Sequence, residues 1–190
     1  MVAPINRDDV PEYKKQYLLS KFADNFYYYF FIIHFFISVF VDSCGVIGIE
    51  NMYTKNIIEK YISSYNDYLL FERPTWFKNL IYLEIFTQIP MFLWFFTMFN
   101  RFYDELNKQT FTEEVTKQNK ARIHEWRKFI RFFLKIYGLM ASASTAYCIY
   151  EIYLNGHYPG TAMPLDLNDR LKLISMYAPM VYIPGGLLFL

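Results

Sequence analysis

The feature that most constrains the fold is an apolar run at residues 76–99, which carries Glu84 and Gln88 near its middle. A helix of about 20 mainly apolar residues crosses the ~30 Å of bilayer hydrocarbon, so the run predicts a transmembrane helix. An ionised carboxylate at that depth costs about 2.5–3.5 kcal/mol on insertion scales and rarely faces lipid. Because side chains four residues apart lie on one helical face, Glu84 and Gln88 are predicted to face the interior of a bundle. Pro90 follows them and predicts a kink.

Three further apolar runs, at residues 26–41, 129–154 and 171–190, predict three more spans. We therefore expect an all-α polytopic membrane protein, a four-transmembrane-helix bundle that forms a single domain over residues 1–190. Residues 138–146 of the third run are mostly small, which lets a neighbouring helix approach closely or leaves room for a ligand. The fourth run contains Pro179 and Pro184, which predict a broken helix.

The segments outside the spans are polar. Residues 1–24 form a polar N-terminal segment, and residues 100–128 are predicted to be a charged, solvent-exposed connection. In the first loop, apolar and aromatic residues recur at helical spacing within residues 52–70. This spacing predicts a short amphipathic helix near the membrane surface.

The distribution of Lys and Arg predicts the orientation in the membrane. Residues 1–24 and 100–128 carry eleven of them, whereas residues 43–75 and 155–170 carry four. By the positive-inside rule, both termini and the charged connection are expected on the cytoplasmic side. The chain opens on residues of mixed charge rather than on a basic region followed by an apolar one, so we expect the first span to be retained.

Charge and cysteine content argue against several function classes. The net charge is +1 and no basic patch alternates with aromatic residues, so no nucleic-acid partner is expected. Cys44 and Cys148 form neither a CxxC motif nor a Cys/His metal spacing, so neither a zinc site nor a thioredoxin-like motif is predicted, and no catalytic residue, metal or cofactor is assigned. Both cysteines lie near the face opposite the cytoplasm, where a disulfide between them remains an open alternative.

Six polar side chains are candidates for a ligand-binding site in the membrane region: His34, Asp42, Asp67, Glu84, Gln88 and Tyr177. Three acids in one poorly solvated interior cannot all be ionised without a cation, so one carboxyl group is expected to hold a proton. Asp42 and Asp67 are the natural pair, because both are predicted at the same membrane face. The remaining negative charge attracts a ligand cation, and the aromatic walls add cation–π attraction and accept an apolar body.

Residues 34–42, 67–90 and 167–184 resemble the corresponding parts of the sigma-2 receptor-like proteins of the EXPERA superfamily, which also contains emopamil-binding protein. The likeness includes an acid, WFK, a second acid, Gln and Pro at matching spacing in 67–90. The resemblance implies an endoplasmic-reticulum membrane protein with a lumen-opening cavity for sterols and cationic amphiphiles. It further implies that Asp42 pairs with a ligand amine, that Asp67 shares its proton, and that the other four candidates line the cavity.

The sequence therefore predicts an intramembrane protein that binds a sterol, another lipid or a cationic amphiphile, and that takes part in lipid trafficking, alone or as a homodimer. One alternative is a structural supernumerary subunit of a larger complex, such as a respiratory complex of the mitochondrial inner membrane. The long connection at 100–128 and the lack of a basic C-terminal tail favour this alternative.

A third alternative is a sterol double-bond isomerase, in which a neutral acid protonates an alkene and a second group removes a proton from the other side. Four spans, where the isomerases have five, argue against it. Ser38 also stands at the position, four residues after His34, where an acid would be expected. An enzyme is therefore not the main expectation.

Overall fold

The computed structural model describes residues 17–107 and 113–190. Within these ranges the chain is largely helical and contains no β-strand. Four helical stretches are long and apolar enough to cross a membrane: Lys21–Ile47, Thr75–Leu106, Ala121–Asn155 and Leu167–Phe189. The prediction of an all-α, four-helix membrane protein is therefore confirmed.

The first span consists of α1 (Lys21–Ile37), a first π-helical turn (Ser38–Asp42) and α2 (Cys44–Ile47). Ser20 caps α1 by accepting a hydrogen bond from the amide of Ala23 at 3.1 Å. Asp24, in the first turn, is buried and accepts hydrogen bonds from the amides of Leu18 and Leu19 at 2.9 and 2.7 Å. This buried acid anchors the chain just before the helix, and sequence analysis did not single it out.

The first loop contains a 3₁₀ turn (Ile49–Asn51) and two short helices, α3 (Lys55–Tyr65) and α4 (Tyr68–Glu72). Ile58 and Ile62 of α3 are buried, whereas Ile57 is 66% exposed. The helix thus has one buried and one exposed face, as the spacing within residues 52–70 predicts.

The second span consists of α5 (Thr75–Leu83), a second π-helical turn (Glu84–Gln88) and α6 (Ile89–Asn107). The amide of Ile89 donates to the carbonyl of Glu84, five residues back, which widens the helix at this point. Pro90 follows directly and has no amide hydrogen, so it cannot make the regular bond to the carbonyl four residues before it. The sequence predicts a kink at Pro90; the structure has a π turn directly before it, and this turn includes both polar residues of the span.

The third span lies within α7 (Glu113–Asn155), which extends beyond the apolar run into the charged connection. The fourth lies within α8 (Leu167–Gly186), which ends in a 3₁₀ turn (Leu187–Phe189). Because α8 continues through Pro179 and Pro184, the prediction of a broken fourth helix is wrong.

Side chains of neighbouring helices bond the backbone of α8 around Pro184. The Ser142 hydroxyl donates to the carbonyl of Val181, and the Tyr27 hydroxyl donates to the carbonyl of Ile183, each at 2.8 Å. These bonds hold the backbone of α8 against α7 and α1 beside Pro184, and contacts of this kind from neighbouring helices are common where a membrane helix contains proline.

The small residues of α7 serve close helix packing. A Cβ atom at Gly138 would collide with the carbonyl oxygen of Pro184, so the backbones of α7 and α8 approach closely there. The sequence left open whether the small residues at 138–146 allow close helix packing or leave room for a ligand. At Gly138 the structure shows close packing.

Among the residues that the structure describes, the buried side chains form two apolar clusters. The larger is rich in aromatic rings and includes Phe31, Phe92, Phe95, Phe99, Phe102 and Tyr137. The smaller lies beneath the loops and includes Cys44, Ile58, Leu69, Phe77, Ile152 and Leu173. Both π turns lie on spans that contribute to both clusters, so their polar side chains occur where one apolar cluster gives way to the other.

Candidate functional site

The two π turns lie against each other, and between them they carry the polar side chains of Ser38, Asp42, Glu84 and Gln88. A π turn bulges the helix by one residue and is frequent at functional sites. We call the set His34, Ser38, Asp42 and Glu84 the polar cluster. The first three lie at steps of four on one stripe of the first span, and Glu84 faces them from the second span.

Glu84 is the centre of the polar cluster. Its side chain is 14% exposed, and its Oε1 atom accepts a hydrogen bond from the Ser38 hydroxyl. The carboxyl group of Asp42 lies within hydrogen-bonding reach of the Glu84 carboxyl group. Glu84 therefore faces the bundle interior, as the spacing predicts, and its nearest acidic neighbour is on the first span.

His34 is fixed in orientation by its neighbours. Its Nδ1 atom lies 3.0 Å from the hydroxyl of Tyr137, and its ring packs against Phe30 and Phe92. The Nε2 atom then points towards Glu84 and lies 3.9 Å from Oε1. His34, Asp42 and Glu84 each offer one ligand atom within 4.8 Å of the other two.

Asp67 belongs to a neighbouring group of hydrogen bonds. It is fully buried and caps α4 by accepting from the amide of Leu70 at 3.1 Å. The hydroxyls of Tyr177 and Tyr61 also donate to Asp67, at 2.9 and 3.2 Å. Burial raises the pKa of this carboxyl group, while its hydrogen bonds from Leu70, Tyr177 and Tyr61 act in the opposite direction.

The structure changes which two acids are expected to share a proton. Asp67 lies near enough to Asp42 to interact electrostatically, but its hydrogen bonds come from two tyrosines and a backbone amide. Asp42 instead lies in reach of Glu84. The geometry therefore favours Asp42 and Glu84, rather than Asp42 and Asp67, as the pair that shares a proton.

The six candidates thus fall into two neighbouring groups. His34, Asp42 and Glu84 meet in the polar cluster, and Asp67 pairs with Tyr177. Gln88 is buried on the same π turn as Glu84. Sequence reasoning missed Tyr137 as the partner of His34 and Tyr61 as a partner of Asp67. The chain has 18 tyrosines, and nothing in the pattern distinguishes these two from the rest.

A groove between α1 and α8 reaches the polar cluster from the outside of the bundle. Its volume is about 560 Å³, and it is lined chiefly by Phe22, Phe26, Ile33, His34, Met180 and Ile183. Phe22 and Ile33 are 78% and 59% exposed, so this α1–α8 groove opens towards the region that hydrocarbon occupies around a membrane helix. Among the six predicted residues, His34 lines its wall.

The two cysteines do not form a disulfide. Cys44 and Cys148 are both free and buried in the smaller apolar cluster. The alternative of a disulfide between them is therefore not supported, and the thiols act as small packing groups.

Comparison with known proteins agrees with these features. The sequence matches the family described as EBP: EXPERA (EXPanded EBP superfamily) over residues 53–189. It is 30% identical to efficient mitochondria targeting-associated protein 19 of Saccharomyces cerevisiae over 168 residues, which cover 86% of this chain and 94% of that protein.

Two further relatives carry the name sigma intracellular receptor 2. The Xenopus tropicalis protein is 27% identical over 168 residues, covering 86% of this chain and 83% of the relative. The human protein is 26% identical over 167 residues, covering 84% of this chain and 81% of the relative. With the family match extending over more than half of its residues, the chain belongs to the EXPERA superfamily.

Proposed function

We propose that this protein binds a sterol, a related lipid or a cationic amphiphile inside the membrane, and that it takes part in lipid trafficking. The observation that carries the proposal is the carboxyl pair of Asp42 and Glu84 beside His34, which lines a groove open to lipid. Buried acids in a membrane span are costly and by default mark a functional site.

The α1–α8 groove has the size and polarity that an amphiphile requires. Its volume of about 560 Å³ falls within the usual range of small-molecule sites, about 300–1,000 Å³. Its walls are mainly apolar, and Asn25 and His34 are polar groups along it. An apolar ring system would occupy the groove, and its polar end would lie against His34.

The polar cluster favours a positive charge at the polar end of the ligand. One proton shared by Asp42 and Glu84 leaves one negative charge, which attracts an amine in a medium of low dielectric. The ring of Phe30, which lines the groove beside His34, adds a cation–π contribution. The names of the Xenopus and human relatives, which describe a receptor, also support ligand binding as the function.

Equilibrium binding to the purified full chain tests this proposal. We expect a radiolabelled azasterol to bind saturably in detergent, and the double variant Asp42→Asn/Glu84→Gln to weaken binding at least about tenfold, because neither carboxylate of the pair then remains to hold the counter-charge. Glu59→Gln is the matched control, since Glu59 is an exposed acid on α3. Equal affinity of Asp42→Asn/Glu84→Gln and the wild type, both eluting as monodisperse protein, would contradict the proposal.

A second pair of variants tests the groove itself. Ile33→Trp places a large ring in the α1–α8 groove and should reduce binding of both charged and neutral sterols. Ile57→Trp makes the same change at an exposed position of α3 and should leave binding unchanged. If Ile33→Trp binds sterols as the wild type does, this groove is neither the binding site of the ligand nor its path of entry.

A second candidate function is a role in delivering proteins to mitochondria, alone or within a larger membrane complex. The Saccharomyces cerevisiae relative, whose name records efficient mitochondria targeting, aligns over 94% of its length. Arg122 and Lys128 are exposed charged residues of α7 near the start of its candidate span at Ala121, and they give a charged helical surface for a partner on the predicted cytoplasmic side. On this proposal the protein lies in the endoplasmic reticulum or the mitochondrial inner membrane.

Cells lacking the protein test this second candidate. We expect slower arrival of a mitochondrial reporter, restored by the wild type and by Asp42→Asn but not by a variant with reversed charges at Arg122 and Lys128. Restoration by the charge-reversed variant would contradict a role of this surface, and normal arrival in cells lacking the protein would contradict the function.

A further inference from the structure

We propose that His34, Asp42 and Glu84 bind a divalent transition-metal ion with the ligand preferences of Zn²⁺. This inference does not depend on the proposed binding of sterols or amphiphiles. It concerns the chemistry of the polar cluster itself, for which sequence analysis predicted no metal.

The distances suit a metal of this size. Zn²⁺ lies about 2.0–2.2 Å from nitrogen and carboxylate ligands, so two ligand atoms of a tetrahedral ion are about 3.4 Å apart. The Nε2 atom of His34 and Oε1 of Glu84 are 3.9 Å apart, and all three ligand atoms lie within 4.8 Å of one another. Side-chain adjustments of less than about 1 Å bring the set to bonding distance.

The groups around the ligands provide an independent observation. When His34 Nδ1–H donates to the hydroxyl oxygen of Tyr137, the lone pair of Nε2 faces Glu84. The Ser38 hydroxyl donates to Glu84 and holds its carboxylate. A histidine oriented through its second nitrogen and a hydrogen-bonded carboxylate are the usual surroundings of metal ligands.

Charge balance points in the same direction. Asp42 and Glu84 lie in hydrogen-bonding reach inside a membrane protein, where two negative charges are costly without compensation. One shared proton leaves a net negative charge, whereas a divalent cation neutralises both carboxylates. One nitrogen and two oxygen ligands leave a fourth position for water or for an oxygen of a bound ligand, which is the arrangement of open zinc sites.

Cobalt is a suitable probe because tetrahedral Co²⁺ absorbs visible light where Zn²⁺ is silent. The full chain is purified in detergent, stripped with a chelator and titrated with Co²⁺, and the bound Co²⁺ is then displaced with Zn²⁺. We expect one equivalent of Co²⁺, at least about tenfold weaker binding in His34→Gln and in Glu84→Gln, and weaker binding as the pH falls, since protons compete with the metal.

Tyr137→Phe tests the orienting hydrogen bond while it keeps all three ligands. Loss of such an outer partner typically costs about 10–100-fold in metal affinity, and we expect a loss of that size here. His157→Gln is the matched control, because His157 lies 2.9 Å from Glu72 at the protein surface and could hold an adventitious ion. It should leave the affinity and the visible spectrum unchanged.

Three outcomes overturn the inference: no saturable Co²⁺ binding, equal binding by folded His34→Gln, or loss of binding in His157→Gln, which would reveal an adventitious ion only. Variants that do not fold are recognised by gel filtration, and Tyr137→Phe then decides. Azasterol binding is measured in the same samples with chelator present. If the protein binds azasterol but not Co²⁺, the metal inference alone fails. If the protein binds Co²⁺ but not azasterol, the proposed function alone fails.

Discussion

His34 Nε2 lies 3.9 Å from Glu84 Oε1, and the two residues belong to different membrane-spanning stretches. Tyr137, from a third stretch, fixes the imidazole, and Ser38 fixes the carboxylate. Three of the four candidate spans therefore contribute to one polar contact. A change in the packing of any of these helices alters this distance, on which the proposed binding of a ligand and of a metal ion depends.

Ser38→Ala should lower the free energy of unfolding by about 1–3 kcal/mol, because it removes the hydrogen-bond donor of the partly buried Glu84 carboxyl group. A denaturant titration in detergent measures the change. Ser175→Ala is the matched control, since Ser175 donates to the carbonyl of Lys172 within α8. A loss for Ser38→Ala no larger than that of the control would show that Glu84 finds another partner.

Tyr177→Phe should lower the free energy of unfolding by about 1 kcal/mol, because Asp67 loses a hydrogen bond of 2.9 Å in a fully buried place. The same substitution should have a smaller effect in a protein that already carries Asp67→Ala. A double-mutant cycle measures the coupling. Equal effects of Tyr177→Phe in both backgrounds would mean that the two side chains do not interact.

Gly138→Val should destabilise the protein by about 1–3 kcal/mol, because the added side chain collides with the backbone of α8 at Pro184. Ala146→Val adds a branched side chain to an exposed position of the same helix and should change stability by less than about 0.5 kcal/mol. Thermal unfolding in detergent compares the two. If they have the same midpoint, α7 and α8 have room to separate at Gly138.

The ion pair of His157 and Glu72 predicts a pH dependence of stability. Burial alone lowers the pKa of His157, but hydrogen bonds to the carbonyl of Asn155 and to Glu72 outweigh it and raise the pKa above its ordinary value. A raised histidine pKa means that the folded state holds the proton more tightly. The stabilisation is therefore complete below about pH 6.5 and is lost as the pH rises through the folded-state pKa.

The size of this effect is below about 1 kcal/mol, because both side chains are partly exposed to water. The free energy of unfolding of the wild type minus that of His157→Gln, measured from pH 5.5 to 9, isolates it from Asp67 and other titrating groups. We expect this difference to fall as the pH rises. A difference that is constant or increases with pH would exclude the ion pair as its source.

Much of the fold could be predicted because membrane insertion leaves few choices. The run around Glu84 had to be helical, since a spanning segment must satisfy its backbone hydrogen bonds internally. The amphipathic helix α3 was predictable for a related reason, as the spacing of Ile58 and Ile62 gives one apolar face. Pro179 and Pro184 misled the prediction, because partners from other helices bond the backbone beside Pro184 and no sequence pattern shows those partners.

The sequence by itself determined the four spans and the faces that their polar side chains share, because both follow from helical periodicity and from the cost of polar groups in hydrocarbon. Only the tertiary structure decided that Glu84 meets Asp42, Ser38 and His34, while Asp67 meets Tyr61 and Tyr177. Partners on different helices depend on how each helix is rotated and widened. Here the two π turns set that rotation, and local sequence does not specify it.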